Sequence, residues 1–306
     1  MDQGGQHMIV GVTGSTGLVG SALVAFLRRS GDEVRRLVRS ESPGEPGSIR
    51  WNPRTGETDM AALEGLDAVV HLAGENIAGG RWTPARKRRI KDSRVLGTRH
   101  LVQALGRLAN PPACLVSASA IGYYGGRGGE KLTEESGPGS GFLAEVCREW
   151  EAAAQPAADK GIRLVIIRIG IVLSKSGGAL ATMLTPFRLG LGGRIGSGGQ
   201  YMSWITLDDL VGAVLHALHD GTLAGPVNAV APSPVTNREF AGTLGRVLNR
   251  PALLPLPGFV ARLGLGEMAD ELLLASTRVE PDRLLRAGYV FRHSRLEPAL
   301  RHILLD

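Results

Sequence analysis

The chain has 306 residues, with 35 Lys and Arg against 29 Asp and Glu for a formal net charge of +6, and 43% of its residues are hydrophobic and 21% charged. These values suit one large α/β domain with a smaller lobe and exclude a disordered or fibrous chain. Two cysteines, Cys114 and Cys147, exclude a disulfide framework and a cysteine metal site, and the most apolar run, Leu164 to Leu173, is broken by Arg168 at half the length of a membrane span, so a cytoplasmic protein with no membrane association and no metal is expected.

The first half alternates short β-rich runs with helical patterns, the rhythm of a parallel sheet. Met8 to Val12 is an apolar strand. Leu18 to Ser30 follows as a helix with Leu18, Ala22, Leu23, Phe26 and Leu27 on one face. Between them lies Thr13-Gly14-Ser15-Thr16-Gly17-Leu18-Val19-Gly20. A helix N-terminus offers unpaired N–H groups and partial positive charge, so a pyrophosphate binds there. Gly14 permits the sharp turn, Gly17 lets the backbone approach the phosphates, and Gly20 lets the helix pack closely. The motif predicts a dinucleotide. Val34 to Val38 is the second strand. An NAD-binding unit places Asp or Glu at its end to hold the ribose 2′-hydroxyl. Here that place reads Val38-Arg39-Ser40, and a guanidinium suits a 2′-phosphate, so NADP(H) is the expected cofactor.

A Pro/Gly/Ser-rich loop, Ser40 to Ser48, comes next. Ala68 to Leu72 reads as a strand and Pro84 to Leu108 as a long helix. That helix carries Arg86, Lys87, Arg88, Arg89, Lys91 and Arg94 with no aromatic residue interleaved, the pattern of a solvated face, and no nucleic-acid partner is expected. Cys114 to Ala118 is a strand, Phe142 to Lys160 a helix and Leu164 to Ile169 a strand. After Ser174 glycines crowd the sequence, which predicts loops and short helices over the substrate side. Val227 to Val230 returns to the sheet. Thr236 and Glu239 then form a capping box. From Arg250 the chain is Pro- and Leu-rich, then helical. The expected divisions are a dinucleotide-binding core over 8–174, substrate-side segments over 175–249 and a small C-terminal domain over 250–306, with no flexible linker.

These strings together resemble the extended short-chain dehydrogenase/reductase superfamily. Within it they resemble a branch of NADP-dependent oxidoreductases and nucleoside-diphosphate-sugar-epimerase-like proteins with its own small C-terminal domain. The resemblance covers nearly the whole chain. It runs through the glycine turn, DAVVHLAGENI (Asp67 to Ile77), a Trp82 before a basic helix ending in Asp92 to Arg94, and SASAIGYYG (Ser117 to Gly125). It continues through REWEAAA (Arg148 to Ala154), IRIGIVLSKSGGAL (Ile167 to Leu180), PFRLGLGGRIGSGGQYMSWI (Pro186 to Ile205) and NAVAPSPVTNREFA (Asn228 to Ala241). The resemblance implies a doubly wound parallel Rossmann sheet with a C-terminal substrate lobe. It also implies cofactor contacts from Leu72, Ala73 and Gly74, from Arg94, from Ser117 and Ala118 under the nicotinamide, and from the backbone of Arg168 to Val172.

One departure concerns catalysis. The superfamily uses Tyr-x-x-x-Lys, the lysine lowering the tyrosine pKa for acid–base work near neutral pH. The matching place reads Phe142-Leu143-Ala144-Glu145-Val146, with neither phenol nor ammonium. Ser119 and Tyr123 are the candidates to orient a carbonyl and supply its proton. Tyr124 and His71 read as packing residues, and Asp208 and Asp209 as the N-terminal acids of a helix. The expected function is NADP(H)-dependent oxidoreduction, or epimerisation by transient oxidation, of a small molecule, in a homodimer. The alternative is a non-catalytic NADP(H)-binding sensor or scaffold.

Overall fold

The computed structural model describes residues 7–39 and 47–305. Its centre is a parallel sheet of seven strands: β1 (Ile9–Thr13), β2 (Glu33–Val38), β3 (Ile49–Arg50), β4 (Ala68–His71), β5 (Cys114–Ala120), β6 (Arg163–Ile169) and β7 (Gly225–Ala229). The spatial order is β7-β6-β5-β4-β1-β2-β3, so the direction of winding reverses between β1 and β4. In open sheets of this kind ligands lie outside the carboxyl ends of the strands at that reversal.

The central strands β1, β4, β5 and β6 bury apolar residues on both faces because helices cover both. In β5, Val116 belongs to the core beneath α1 (Leu18–Arg29) and α5 (Leu207–His219), while Leu115 belongs to the opposite core beneath α2 (Pro84–Leu105). A third cluster lies off the sheet, where Leu180 and Phe187 of α4 (Gly178–Arg188), Phe240 and Leu244 of α6 (Asn237–Val247), and Leu296 and Leu300 of α8 (Leu296–Leu305) pack together. Helix α3 (Phe142–Ala154) lies beside α2, and α7 (Gly258–Leu265) lies in the C-terminal segment. That segment also returns to the main core, where Leu284 is fully buried among the sheet residues.

The capping box at Thr236 and Glu239 is present, with both of its reciprocal hydrogen bonds. Several element ends shift by one to three residues from the sequence reading, and three differences have physical reasons. The helix expected over Phe142 to Lys160 stops at Ala154 and resumes as a single turn over Pro156–Asp159, because Pro156 has no N–H to continue the ladder. Strand β5 runs to Ala120, two residues beyond Ala118. Strand β3, two residues long at the sheet edge, had no periodic signal. Residues 40–46 of the expected loop, with Ser40, lie outside the described residues.

A buried polar chain ties the elements together at the head of the sheet. The Thr13 hydroxyl accepts hydrogen bonds from the N–H groups of Leu72 (3.1 Å) and Ala73 (3.2 Å) and lies 2.7 Å from His71 Nδ1. His71 Nε2 lies 2.9 Å from the Thr98 hydroxyl, which also accepts from the Trp150 indole. With two donors already on Thr13, its own proton goes to Nδ1, so the imidazole is neutral and carries its hydrogen on Nε2. Burial pushes the His71 pKa down to about 4. Unfolded His71 protonates below about 6.5 while the folded ring stays neutral, so its contribution to stability is full above pH 6.5 and falls as the pH drops toward 4. Between pH 7 and pH 5 the loss attributable to this group is about 2 kcal/mol. Urea unfolding of the wild type and His71→Asn at both pH values checks this: the variant is less stable at pH 7 but loses less on acidification.

Candidate functional site

The glycine turn is held where a dinucleotide pyrophosphate would lie. Gly14 has φ +65°, a conformation that favours glycine, and a Cβ there would stand 2.8 Å from the Leu72 carbonyl. A Cβ on Gly20 would collide with the Gly14 carbonyl oxygen. Gly17 differs from both. Apart from its chain neighbours, and among the described residues, the Gly14 carbonyl oxygen at 3.3 Å is the one heavy atom within 4 Å of a Cβ built on Gly17, so its outer side is open. Gly17 is the N-cap of α1, no side chain caps that end, and the first turn carries no acid. The N–H groups of Leu18, Val19 and Gly20 therefore border an open, electropositive place. Gly177 and Gly178 pack against the Leu18 side chain, and the Val172 carbonyl lies beside Gly178, so the loop after β6 forms the opposite wall.

At the ribose end, Val38 is partly buried and Arg39 is exposed just past β2. The sequence reading missed Arg36. It lies opposite Val12 in the sheet register, and its Nε donates to the Ser15 hydroxyl at 3.0 Å. The alternation of β2 carries the signal: Arg36 shares with Val34 and Val38 the face that α1 covers. Thr16 is exposed at the turn's outer edge.

On the other side of β1, Leu72 and Ala73 receive the Thr13 bridge and Gly74 is exposed. Arg94 lies against Gly74, donating through Nη1 to the carbonyls of Glu75 (3.0 Å) and Ile90 (3.2 Å). It braces the loop after β4.

Two expectations for β5 need correction. Ser117 and Ala118 are buried inside the strand, because β5 continues to Ala120. The residues presented at its end are Ala120 and Ile121. Ser119 is 2% exposed, and its hydroxyl donates to Glu151 at 2.7 Å. Its only proton is thus engaged, and Ser119 is not placed to orient a substrate carbonyl.

Glu151 is the hub of a buried network. Arg168, 3% exposed, donates to its two oxygens through Nε and Nη2, both at 2.8 Å. Arg168 Nη1 donates to the Tyr124 hydroxyl at 2.9 Å, which in turn donates to Asn228 at 2.7 Å. Burial raises the Tyr124 pKa to about 12, only partly offset by Arg168. Arg168 can therefore offer a ligand only backbone. Its guanidinium carbon also lies 3.6 Å from the centre of the Tyr123 ring, a cation–π stack, and Tyr123 itself is partly exposed.

The residues at the expected positions of the catalytic pair are held by packing. The Phe142 ring meets Trp82 edge-on with centroids 5.0 Å apart, Lys87 Nζ lies 4.4 Å from its centre, and Val146 is 1% exposed. The residues of α3 that face the end of β5 are Leu143 and Cys147, in contact with the position of Gly122. Neither can act as a phenol–ammonium pair. Burial pushes the Cys147 thiol up to about 11, so it is neutral. Glu271 of the C-terminal segment accepts the N–H groups of Phe142 (2.9 Å) and Leu143 (3.2 Å), capping α3 from a distant part of the chain.

Comparison with known proteins agrees with this geometry. Residues 10–229 match the NAD dependent epimerase/dehydratase family, and residues 256–303 match a domain of unknown function, DUF1731. An epimerase family protein of Mycobacterium bovis is 46% identical over 294 residues, covering 96% of this chain and 97% of that one. The crystal structure of the human epimerase family protein SDR39U1 with NADPH superimposes with a TM-score of 0.90 at 39% identity, covering 98% of this chain and 100% of that one. A nucleoside-diphosphate sugar epimerase from Corynebacterium glutamicum gives a TM-score of 0.82 at 39% identity, over 98% of this chain and 59% of that one. Among the described residues, no helix is long and apolar enough to cross a membrane.

The Glu151 network separates two substitutions. Glu151→Ala leaves a buried guanidinium unpaired and is expected to destabilise the protein by about 3–5 kcal/mol. Ser119→Ala removes one hydrogen bond to a carboxylate that keeps its arginine, with an expected loss of about 1.5–3 kcal/mol. Urea denaturation of both variants checks the order, and equal losses would show that Ser119 rather than Arg168 holds the carboxylate in place.

Proposed function

The chain belongs to the NAD dependent epimerase/dehydratase family, and on that premise we propose that it binds NADP(H) and carries out oxidoreduction, or epimerisation by transient oxidation, of a small molecule. The observation that carries the proposal is the uncapped start of α1 behind Gly14 and Gly17, open on its outer side, with the Arg36 guanidinium bonded to Ser15 of the same turn. The residues fit the cofactor. The N–H groups of Leu18, Val19 and Gly20 would hold the pyrophosphate. Arg36 and Arg39 would hold the 2′-phosphate, where charge-assisted hydrogen bonds favour it over a hydroxyl. Leu72 to Gly74, kept in place by Thr13 and Arg94, would border the adenosine side, and Val172 the nicotinamide side. That the human SDR39U1 structure contains NADPH supports the same choice.

The bound cofactor supplies or accepts hydride, and the protein must handle the proton. Four groups near the end of β5 can be compared. Ser119 donates to Glu151, Tyr124 is buried between Arg168 and Asn228, and Cys147 is a buried neutral thiol. Tyr123 is the remaining phenol, partly exposed and fixed by its stack on Arg168. In this reading Tyr123 gives a proton to the substrate oxygen during reduction and takes it back during oxidation. A second reading, an NADP(H)-binding sensor without turnover, is favoured by Leu143 and Cys147 standing where the superfamily pair would face the strand end.

Two measurements test these assignments. NADPH is expected to bind more tightly than NADH, with Arg36→Ala and Arg39→Ala each narrowing the gap by about tenfold, the equivalent of one charge-assisted hydrogen bond. Gly17→Val, which fits the N-cap backbone but fills the open side, should abolish dinucleotide binding and leave the far-UV circular dichroism unchanged. Equal affinities for the two dinucleotides in the wild type would remove the 2′-phosphate assignment. The readings then divide on turnover. Oxidation of NADPH over a panel of carbonyl compounds, lowered about 10²-fold or more in Tyr123→Phe, supports the enzyme. Tight NADPH binding without turnover across the panel supports the sensor.

A further inference from the structure

Three side chains from separate parts of the chain converge on the surface at the start of α5. Asp208 lies in the first turn of α5, His293 in the segment before α8, and His302 in the last turn of α8. Asp208 Oδ2 is 3.1 Å from His302 Nε2. The imidazoles of His293 and His302 stack with centroids 4.5 Å apart and planes 21° from parallel. One potential ligand atom from each residue lies within 4.8 Å of those from the other two, and among the described residues no other group of three or more His, Cys, Asp or Glu meets that condition.

We propose that Asp208, His293 and His302 form a site for a divalent transition-metal ion of the zinc, cobalt or nickel class, which pins the C-terminal helix to the start of α5. The donor set is two imidazoles and one carboxylate. Imidazole nitrogen selects these metals over magnesium or calcium, which prefer an all-oxygen shell. A three-ligand set leaves the remaining positions to water.

The ligands stand on rigid supports. Asp209 is fully buried, and its carboxylate accepts the backbone N–H of His293 (3.0 Å) and of Arg292 (2.8 Å) and the Thr206 hydroxyl (3.0 Å). The backbone at His293 is therefore fixed relative to α5 before any ion arrives. His302 projects from a helix whose opposite face, Leu296, Ala299 and Leu300, is in the third core cluster. Arg301, the nearest cation on α8, is held by Glu297 at 2.9 Å. Such preorganisation lowers the ordering cost of binding. The contact between His302 and Asp208 is between side chains 43% and 53% exposed, and exposed contacts of this kind contribute little to stability by themselves.

The test uses the full-length chain after removal of metal with a chelator. Co²⁺ is the spectroscopic probe and Zn²⁺ the thermal one. The expected result is one Co²⁺ per chain with a visible d–d spectrum distinct from the aqua ion, and a rise in melting temperature with added Zn²⁺. His293→Ala, His302→Ala and Asp208→Asn should each weaken Co²⁺ binding at least about tenfold and remove the thermal shift. NADPH affinity and near-UV circular dichroism serve as controls that the variants are folded. A wild-type spectrum that remains that of the aqua ion overturns the proposal, and so does undiminished Co²⁺ binding in the three variants.

Discussion

The head of the sheet depends on how closely the turn after β1 is held against the end of β4. The Thr13 hydroxyl accepts from the N–H groups of Leu72 and Ala73, whose strand has already ended, and donates a hydrogen bond to His71 Nδ1. Gly14 then lies so near the Leu72 carbonyl that no side chain fits. A longer side chain at 13, or a charged imidazole at 71, would force the strands apart and lift the start of α1 away from the cleft. The openness at Gly17 follows from the closeness at Gly14 and Gly20, because the same turn presses two glycines inward and turns the third out.

The second constraint is charge inside the sheet. Arg168 and Glu151 are taken out of water together, and a pair of this kind is stabilising only when its remaining donors and acceptors are satisfied. Here Tyr124, Asn228 and Ser119 complete it. The polar residues at the end of β5 therefore have a structural use that explains their presence independently of catalysis. On the proposed reading, what they leave for chemistry is Tyr123, stacked on Arg168 and partly exposed. In that reading a partly exposed phenol stacked on a guanidinium stands in place of the superfamily's phenol–ammonium pair.

The parts legible in the sequence were local. Gly14, Gly17 and Gly20 between an apolar strand and an amphipathic helix specify a turn by covalent geometry alone, and the capping box at Thr236 is fixed by a spacing of three residues. The missing carboxylate after β2 was equally visible. The parts not legible were decided across long sequence separations. Ser119 looks available until Glu151 arrives from α3, and Arg36 looks like one strand residue among several until Ser15 is placed beside it. The helical register of α3 could not be read from Phe142 and Val146, because Trp82 and Lys87 draw Phe142 toward α2 while Leu143 and Cys147 turn to the strand.

The same long-range logic explains why the C-terminal segment cannot be treated as an appendage. Glu271 supplies the cap that α3 lacks in its own sequence, since Gly141 has no side chain to offer and a Cβ there would strike the Glu271 carboxylate. Glu267 pairs with Lys87, the cation over the Phe142 ring. At the other end of the segment, Asp209 fixes the backbone of Arg292 and His293. The segment thus holds α3 by its first turn and α5 by its first turn, on opposite faces of one sheet. A displacement of the C-terminal segment would therefore uncap α3 and free Lys87 from Glu267 together.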